Sequence, residues 1–348
     1  DAERCCRARS IAKLGGTRLR KGLLLYNINK TSKALAVFKR VAAEYPATPE
    51  AFQAISSARS IYVDNADVDN YAKWVGTLSY ATISDKELDR TAYEAAEKQY
   101  LENNADKAIS LFNDYIVKFP NAAQITKAHF YLAALYFKQN LRENALPHYE
   151  FVIEQSTNEF TEQALQKVCA LKLQLKLDAK QALNRLEMEA KNPQNILFAQ
   201  SNLMKIAYEE EDFSMALNYA QIIIENPNTD QYIKNDAHII TARSAISLEN
   251  DDLARTSYEN VAATNSTSYG AEANYFAAFF KHKDSAFTES NKLIQQLIQQ
   301  HPSNRTFAAK GLLLMAKNYY ALNDAFQATY ILENIIKNST EFDNICID

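Results

Sequence analysis

Glycine is nearly missing from this chain: there are six glycines in 348 residues, alongside seven prolines, five histidines, four cysteines and one tryptophan. Each shortage closes off a class of function. There is no glycine-rich phosphate loop and no G-x-S-x-G turn to expose a nucleophile. Nor does any strand-like alternation of apolar and polar residues run over a useful length. Cys5, Cys6, Cys169 and Cys346 are too widely spread for a disulfide framework and form no paired C-x-x-C. Cys169 falls on an apolar helical face and reads as a small core residue. His129, His148, His238, His282 and His301 are scattered, with no H-E-x-x-H and no second ligand one helical turn away. They read as surface or interhelix residues, so neither a metal nor a cofactor is expected. Lysine and arginine total 38 against 42 acidic residues, a net charge of −4. That leaves no global field to attract nucleic acid or an acidic membrane. No apolar run approaches the roughly 18 residues that would cross a bilayer.

What the chain has is a period. Ala34, Ala72, Ala108, Ala145, Ala182, Ala216, Ala254, Ser290 and Ala328 recur at intervals of 34 to 38 residues. Twelve positions before each stand Gly22, Ser60, Ala96, Ala133, Ala170, Met204, Ala242, Ala278 and Ala316, eight of the nine being Gly, Ala or Ser. Self-similarity at this spacing marks a stack of identical supersecondary units, each burying its apolar face on its neighbours. The units read as helix pairs. Small residues at matched points on two helices let the backbones cross closely, which a larger side chain would prevent. In 128–139 the apolar residues Phe130, Leu132, Ala133, Leu135, Tyr136 and Phe137 form a broad helical stripe. A polar turn follows, then Ala145, Leu146, Tyr149, Val152 and Ile153 at helical spacing. Four residues past the repeat alanine an aromatic or aliphatic residue usually stands, as at Phe38, Phe112, Tyr149, Leu186, Tyr258, Ile294 and Leu332; Gly76 and Ala220 are the exceptions.

Proline punctuates the units. Pro46, Pro120, Pro193, Pro227 and Pro302 lie eleven or twelve residues beyond the repeat position and are expected to end each second helix. Thr48-Pro49-Glu50 has the form of an N-cap with proline at the first helical position. Ser84 to Glu87 has capping-box spacing, and Pro147 is expected in the first turn of its helix.

Counted with the earlier small residue at position 8, the units carry Tyr near position 11, Ala at 20, an aromatic at 24 and Pro at 32. This pattern resembles the tetratricopeptide repeat, best at Ala133-Tyr136-Ala145-Tyr149, Ala316-Tyr319-Ala328-Leu332 and Ala34-Phe38-Pro46. The resemblance implies an all-α fold, a right-handed α-solenoid of about eight or nine helix-turn-helix repeats over residues 22–340. It also implies a non-enzymatic protein. Segments such as AEKQYLENNADKAISLFNDYIVKFP and MAKNYYALNDAFQATYILENII further resemble long envelope-associated repeat proteins of Bacteroidota, in the style of Tol–Pal-associated and outer-membrane-assembly proteins. A periplasmic or outer-membrane-associated setting follows from that likeness, with the cytoplasm as the alternative.

Several stretches depart from the pattern. Residues 1–21 are basic (Arg4, Arg7, Arg9, Lys13, Arg18, Arg20, Lys21) and have poor repeat logic; residues 341–348 read as a truncated tail. The second repeat, around Trp74, is weak, and 165–181 lacks a recognisable polar turn. Without a polar capping helix at the end, the chain reads as a piece of a longer protein. Glu209-Glu210-Glu211-Asp212 reads as a solvated turn. Sequon matches at Asn29, Asn265, Asn304 and Asn338 are expected by chance in so Asn- and Thr-rich a chain.

In the tetratricopeptide family the first helices line a concave groove, with positions 2, 5, 9, 12 and 13 facing into it. Carried over residue by residue, this register implies a groove of Arg90, Tyr93, Glu97 and Tyr100, then Lys127, Phe130 and Phe137. Further along come Lys205, Tyr208, Arg243, Tyr275, Phe279, Lys317 and Tyr320. Aromatics mixed with Arg and Lys are the residue types that anchor protein interfaces. The implied partner is a protein or peptide held as an extended segment or a helix. Two other readings stay open: the helical arm of a larger enzyme or secretion machine, and a glycan- or peptidoglycan-binding solenoid.

Overall fold

The computed structural model describes residues 2–263 and 269–337, with side chains from residue 14 onward. Among these residues there are eighteen helices and no strand. The basic side chains before Leu14, Cys5 and Cys6 with them, lie outside the described residues. So do the sequons at Asn265 and Asn338, the segment 341–348 and Cys346.

The chain divides into two compact units, residues 1–179 and 180–348. The first contains α1 (Ala2–Asn27) and α2 (Thr31–Glu44), α3 (Pro49–Asp64) and α4 (Val68–Val75), α5 (Asp85–Leu101) and α6 (Ala105–Lys118), α7 (Ile125–Lys138) and α8 (Arg142–Glu154), and then α9 (Thr161–Gln174). The second opens on α10 (Lys180–Glu189). It continues with α11 (Pro193–Glu209) and α12 (Phe213–Glu225), α13 (Gln231–Ser247) and α14 (Asp251–Ala263), α15 (Gly270–Lys283) and α16 (Phe287–Gln300), and α17 (Arg305–Ala321) and α18 (Ala325–Lys337). Within each unit a hairpin packs on the next, and first helices also touch first helices, as α3 does α5 and α11 does α13. The fold class is all-α, a solenoid of helix-turn-helix repeats.

The hairpin turns explain how the chain manages without glycine. In every pair one residue takes a left-handed conformation: Asn29, Ala66, Asn103, Asn140, Lys176, Glu211, Glu249, Ser285 and Asn323, with φ between 55° and 62°. No described glycine has positive φ. Asparagine adopts this region more readily than other side chains, and it fills four of the nine turns. The turns close by bonds such as Asn103 N–H to Tyr100 O at 3.0 Å and Asn104 N–H to Gln99 O at 2.9 Å, a Schellman-type cap for the first helix. The turn missed in 165–181 is one of these. Lys176 N–H reaches Leu173 O and Leu177 N–H reaches Lys172 O, so lysine does there what asparagine does elsewhere.

Pro46, Pro120, Pro227 and Pro302 each stand two residues past the end of a second helix. Pro193 does not: it is the first residue of α11, capped by Asn192, whose side chain accepts from Gln194 N–H. Pro147 lies past the first turn, inside α8, and removes one ladder bond there. The Thr48 and Ser84 caps form as expected, accepting from Ala51 and Glu87 N–H, each at 3.2 Å.

The small-residue contacts are buried in seven repeats. Ala34, Ala96, Ala108, Ala133, Ala145, Ala216, Ala242, Ala254 and Ala278 have no exposed surface. A Cβ on Gly22 would sit 2.5 Å from the fully buried Phe38 ring, which is why glycine stands there. Ser290 keeps the slot by donating to Ala278 O at 2.7 Å and accepting from Asn318 at 2.9 Å. The second and fifth repeats differ: Ala72 and Ala182 are only half-buried, and their helices α4 and α10 are the shortest. After α4, the segment 76–84 covers part of the exposed core, with Leu78, Tyr80 and Ile83 packed on the cluster around Tyr62, Tyr71 and Val75.

Candidate functional site

The first helices bring the residues assigned to the groove into two quite different situations. Tyr93 and Phe130 belong to the core, being 5% and 7% exposed. Tyr93 packs edge-on to Tyr115, and its hydroxyl donates to Glu97 Oε1 at 2.9 Å. Phe130 stacks on Phe160 with 4.6 Å between centroids and meets Tyr149 edge-on. Their assignment to an open wall is corrected. In these repeats position 5 fills the space between successive hairpins, where burial of a large ring outweighs its use as bait. Tyr100 and Phe137 are half-buried, Tyr100 stacked on Tyr131 at 4.4 Å and Phe137 beneath the Lys167 ammonium at 4.4 Å.

The charged members turn inward on each other. Lys127 of α7 donates to Glu97 of α5 at 2.9 Å, Lys205 of α11 pairs with Asp236 of α13 at 2.7 Å, and Arg243 of α13 grips Glu272 of α15 through two bonds of 2.9 and 2.6 Å. In register terms each joins position 9 of one first helix to position 2 of the next. Arg59 to Glu94 at 2.6 Å and a Lys98–Asp64 pair add further links between α3 and α5. Asp236 and Glu272 are almost fully buried, and tyrosine hydroxyls complete them: Tyr269 donates to Asp236 at 2.8 Å and Tyr258 to Glu272 at 3.0 Å. The hydrogen bond to Glu97 raises the Lys127 pKa, and the bond to Glu272 raises that of Arg243. Burial, reinforced by the Glu272 charge, raises Tyr258. These groups hold the stack together and are not free for a partner.

Tyr208, half-buried, packs on Phe213. Tyr275 and Phe279 are half-buried within an aromatic group that includes Phe276 and Phe307. Arg90 is exposed and approaches Glu94 at 3.4 Å, an i,i+4 surface pair of small value. On α17 the assigned residues are exposed and, among the described residues, form no ion pair. Lys317 is exposed and Tyr320 is 75% exposed. With Lys310 and Leu313 they form one stripe at positions 2, 5, 9 and 12. Among the described residues neither Lys310 nor Lys317 meets a carboxylate; Lys310 lies over the Phe307 ring at 5.5 Å. Leu313, Lys317 and Tyr320, with Ala328 and Leu332 of α18, line a groove of ≈ 480 Å³. Register alone missed Lys310 and Leu313, although both occupy the same positions as the residues chosen in earlier repeats.

The remaining chemistry is sparse. Burial raises the Cys169 thiol to about 12, so it stays an unreactive thiol at neutral pH. Among the described residues no group of three or more His, Cys, Asp or Glu side chains could hold a metal ion. No described helix is long and apolar enough to cross a membrane.

The fold defines a helical-repeat protein. Residues 17–48, from within α1 to just past α2, match the tetratricopeptide repeat family. No curated protein matches the chain. Among solved structures, it resembles the apo form of the quorum sensor NprR from B. thuringiensis, at 14% identity over 97% of this chain and 99% of that one, with a TM-score of 0.36. It also resembles the TPR domain of P58(IPK), at 13% identity over 92% and 91% of the two chains, with a TM-score of 0.29. Likenesses this loose carry no functional argument.

Proposed function

We propose that this chain is a non-enzymatic tetratricopeptide-type scaffold that holds an acidic, partly apolar peptide segment of a protein partner against α17, within a bacterial cell-envelope complex. One observation carries the binding site. The other assigned cations of the second unit, Lys205 and Arg243, are matched to buried carboxylates, whereas Lys310, at the position held by Asp236 and Glu272 in the two repeats before it, meets no carboxylate among the described residues and shares a stripe with half-buried Leu313 and exposed Lys317 and Tyr320. A lysine pair flanking an aromatic and an aliphatic side chain complements carboxylates interleaved with apolar residues. The envelope setting is supported by the resemblance of segments such as 315–336 to envelope-associated repeat proteins, and fractionation of the source cell tests it separately.

The site is tested with an array of acidic–apolar peptides and charge-reversed controls. The unaltered protein is expected to select the acidic set. Lys317→Glu with Tyr320→Ala should abolish that selection, since truncating an interface anchor typically costs about 2 kcal/mol. Both residues are exposed, so the melting temperature should stay put. Unchanged peptide selection by a normally folded double variant would move the binding surface elsewhere.

A further inference from the structure

His129 and His148 are 19 residues apart, yet the α7–α8 hairpin brings their Nδ1 atoms to 3.0 Å. His129 is buried, its ring stacked on Phe151 with 3.7 Å between centroids. The His148 ring lies parallel to Tyr136, whose hydroxyl accepts from Asn113 of α6 at 3.0 Å. In the neutral pair one Nδ1 donates and the other accepts. A single added proton places a charge inside this aromatic layer. A second leaves hydrogens on both facing nitrogens with no acceptor between them.

Nothing nearby is arranged to welcome that charge. On α7, Lys127 is held by Glu97 and Lys138 is exposed; on α8, Glu150 is held by Lys172 of α9, and Arg142, Glu143 and Glu154 are exposed. From α6, Asp106 bonds Gln139, while Asp114 and Lys118 line a cleft beside α4. On α9, Glu162 lies in the first turn and Lys167 covers Phe137. Among the described residues, the charge that bears on His129 is that of His148. Burial, with that neighbour, pushes His129 down to about 4, and burial pushes His148 down as well.

We propose that the His129–His148 pair makes the fourth hairpin an acid-triggered joint, in which protonation separates the rings and loosens α8 from α7 while the other hairpins stay closed. The sign follows from linkage. The unfolded imidazoles take up protons near pH 6.5 and the folded ones only at lower pH. The contribution is therefore complete above about pH 6.5 and is lost as pH falls toward about 4. The inference stands apart from the α17 site.

The test is hydrogen exchange on the intact chain at pH 7.5 and 5, corrected for intrinsic rates, with α11–α12, which lacks histidine, as the internal reference. Opening of α7–α8 is expected to rise on the order of tenfold or more relative to the reference. In His129→Gln/His148→Gln this excess should vanish. Proton NMR of the unaltered chain supplies a readout that needs no variant: both imidazoles should titrate below the ordinary histidine range. An equal acid response in both hairpins, an excess that survives in the double variant, or either ring titrating at or above about 6.5 would each overturn the proposal.

Discussion

Phe130→Ala will loosen the fourth repeat instead of releasing a partner, at a cost of about 3–5 kcal/mol. The ring is buried between Tyr149 and Phe160, and its removal leaves a cavity against both. Tyr93→Ala should act the same way on the third repeat and also strip Glu97 of its tyrosine donor. Because repeat arrays couple mainly between neighbours, the loss should show as local exchange around α5–α8 before it lowers the main melting transition. A normal melting profile with normal exchange in either variant would return these residues to the surface.

The second large effect concerns charge. Glu272→Gln should cost about 3 kcal/mol, the lower part of the range for breaking a buried ion pair, because the Arg243 side chain is 36% exposed and recovers some hydration. Tyr258, whose hydroxyl would then face an amide, adds to the loss. The fork between Arg255 and Asp284 has similar geometry on the surface, and Asp284→Asn should hardly matter. Thermal melting of the two variants side by side separates the cases. Equal effects would mean that burial is not what gives the Glu272 pair its value.

The fold was legible because the repeat signal lies in local, periodic features: a small residue on each helix, a large one four residues past the alanine, a proline after the hairpin. Where those features weaken, at Ala72 and Ala182, the helices are short and the alanines half-buried, so the weak stretches of sequence mark real irregularities. Pro193 misled because proline both ends helices and begins them, and only the Asn192 cap distinguishes the two. The site was legible in register but not in use. Tyr100 and Tyr320 both occupy position 12, yet Tyr100 is half-buried against Tyr131 of the next hairpin and Tyr320 is exposed. The charged set contained a readable clue, since Glu97 and Lys127 are 30 residues apart and Arg243 and Glu272 are 29 apart, each one repeat less the seven positions that separate position 9 from position 2. Such a spacing between opposite charges marks partners in a stack. The imidazole pair had no comparable signal, because 19 residues is a distance that only the hairpin turn makes meaningful.

The position-9 to position-2 pairs also give the repeats a grammar. In the first unit the acid comes first, Glu97 preceding Lys127; in the second the base comes first, Lys205 before Asp236 and Arg243 before Glu272. The seventh repeat therefore carries the acid of one pair and the base of the next, Asp236 and Arg243, so it could be duplicated or deleted and both junctions would still match; the sixth, with Phe198 at position 2, has no such freedom. A third repeat spliced before the seventh would set Glu97 against Asp236, acid facing acid at a nearly dry contact. Repeat shuffling in this chain is permitted within a polarity class and forbidden across it, which makes the order of its modules a heritable property of a few side chains.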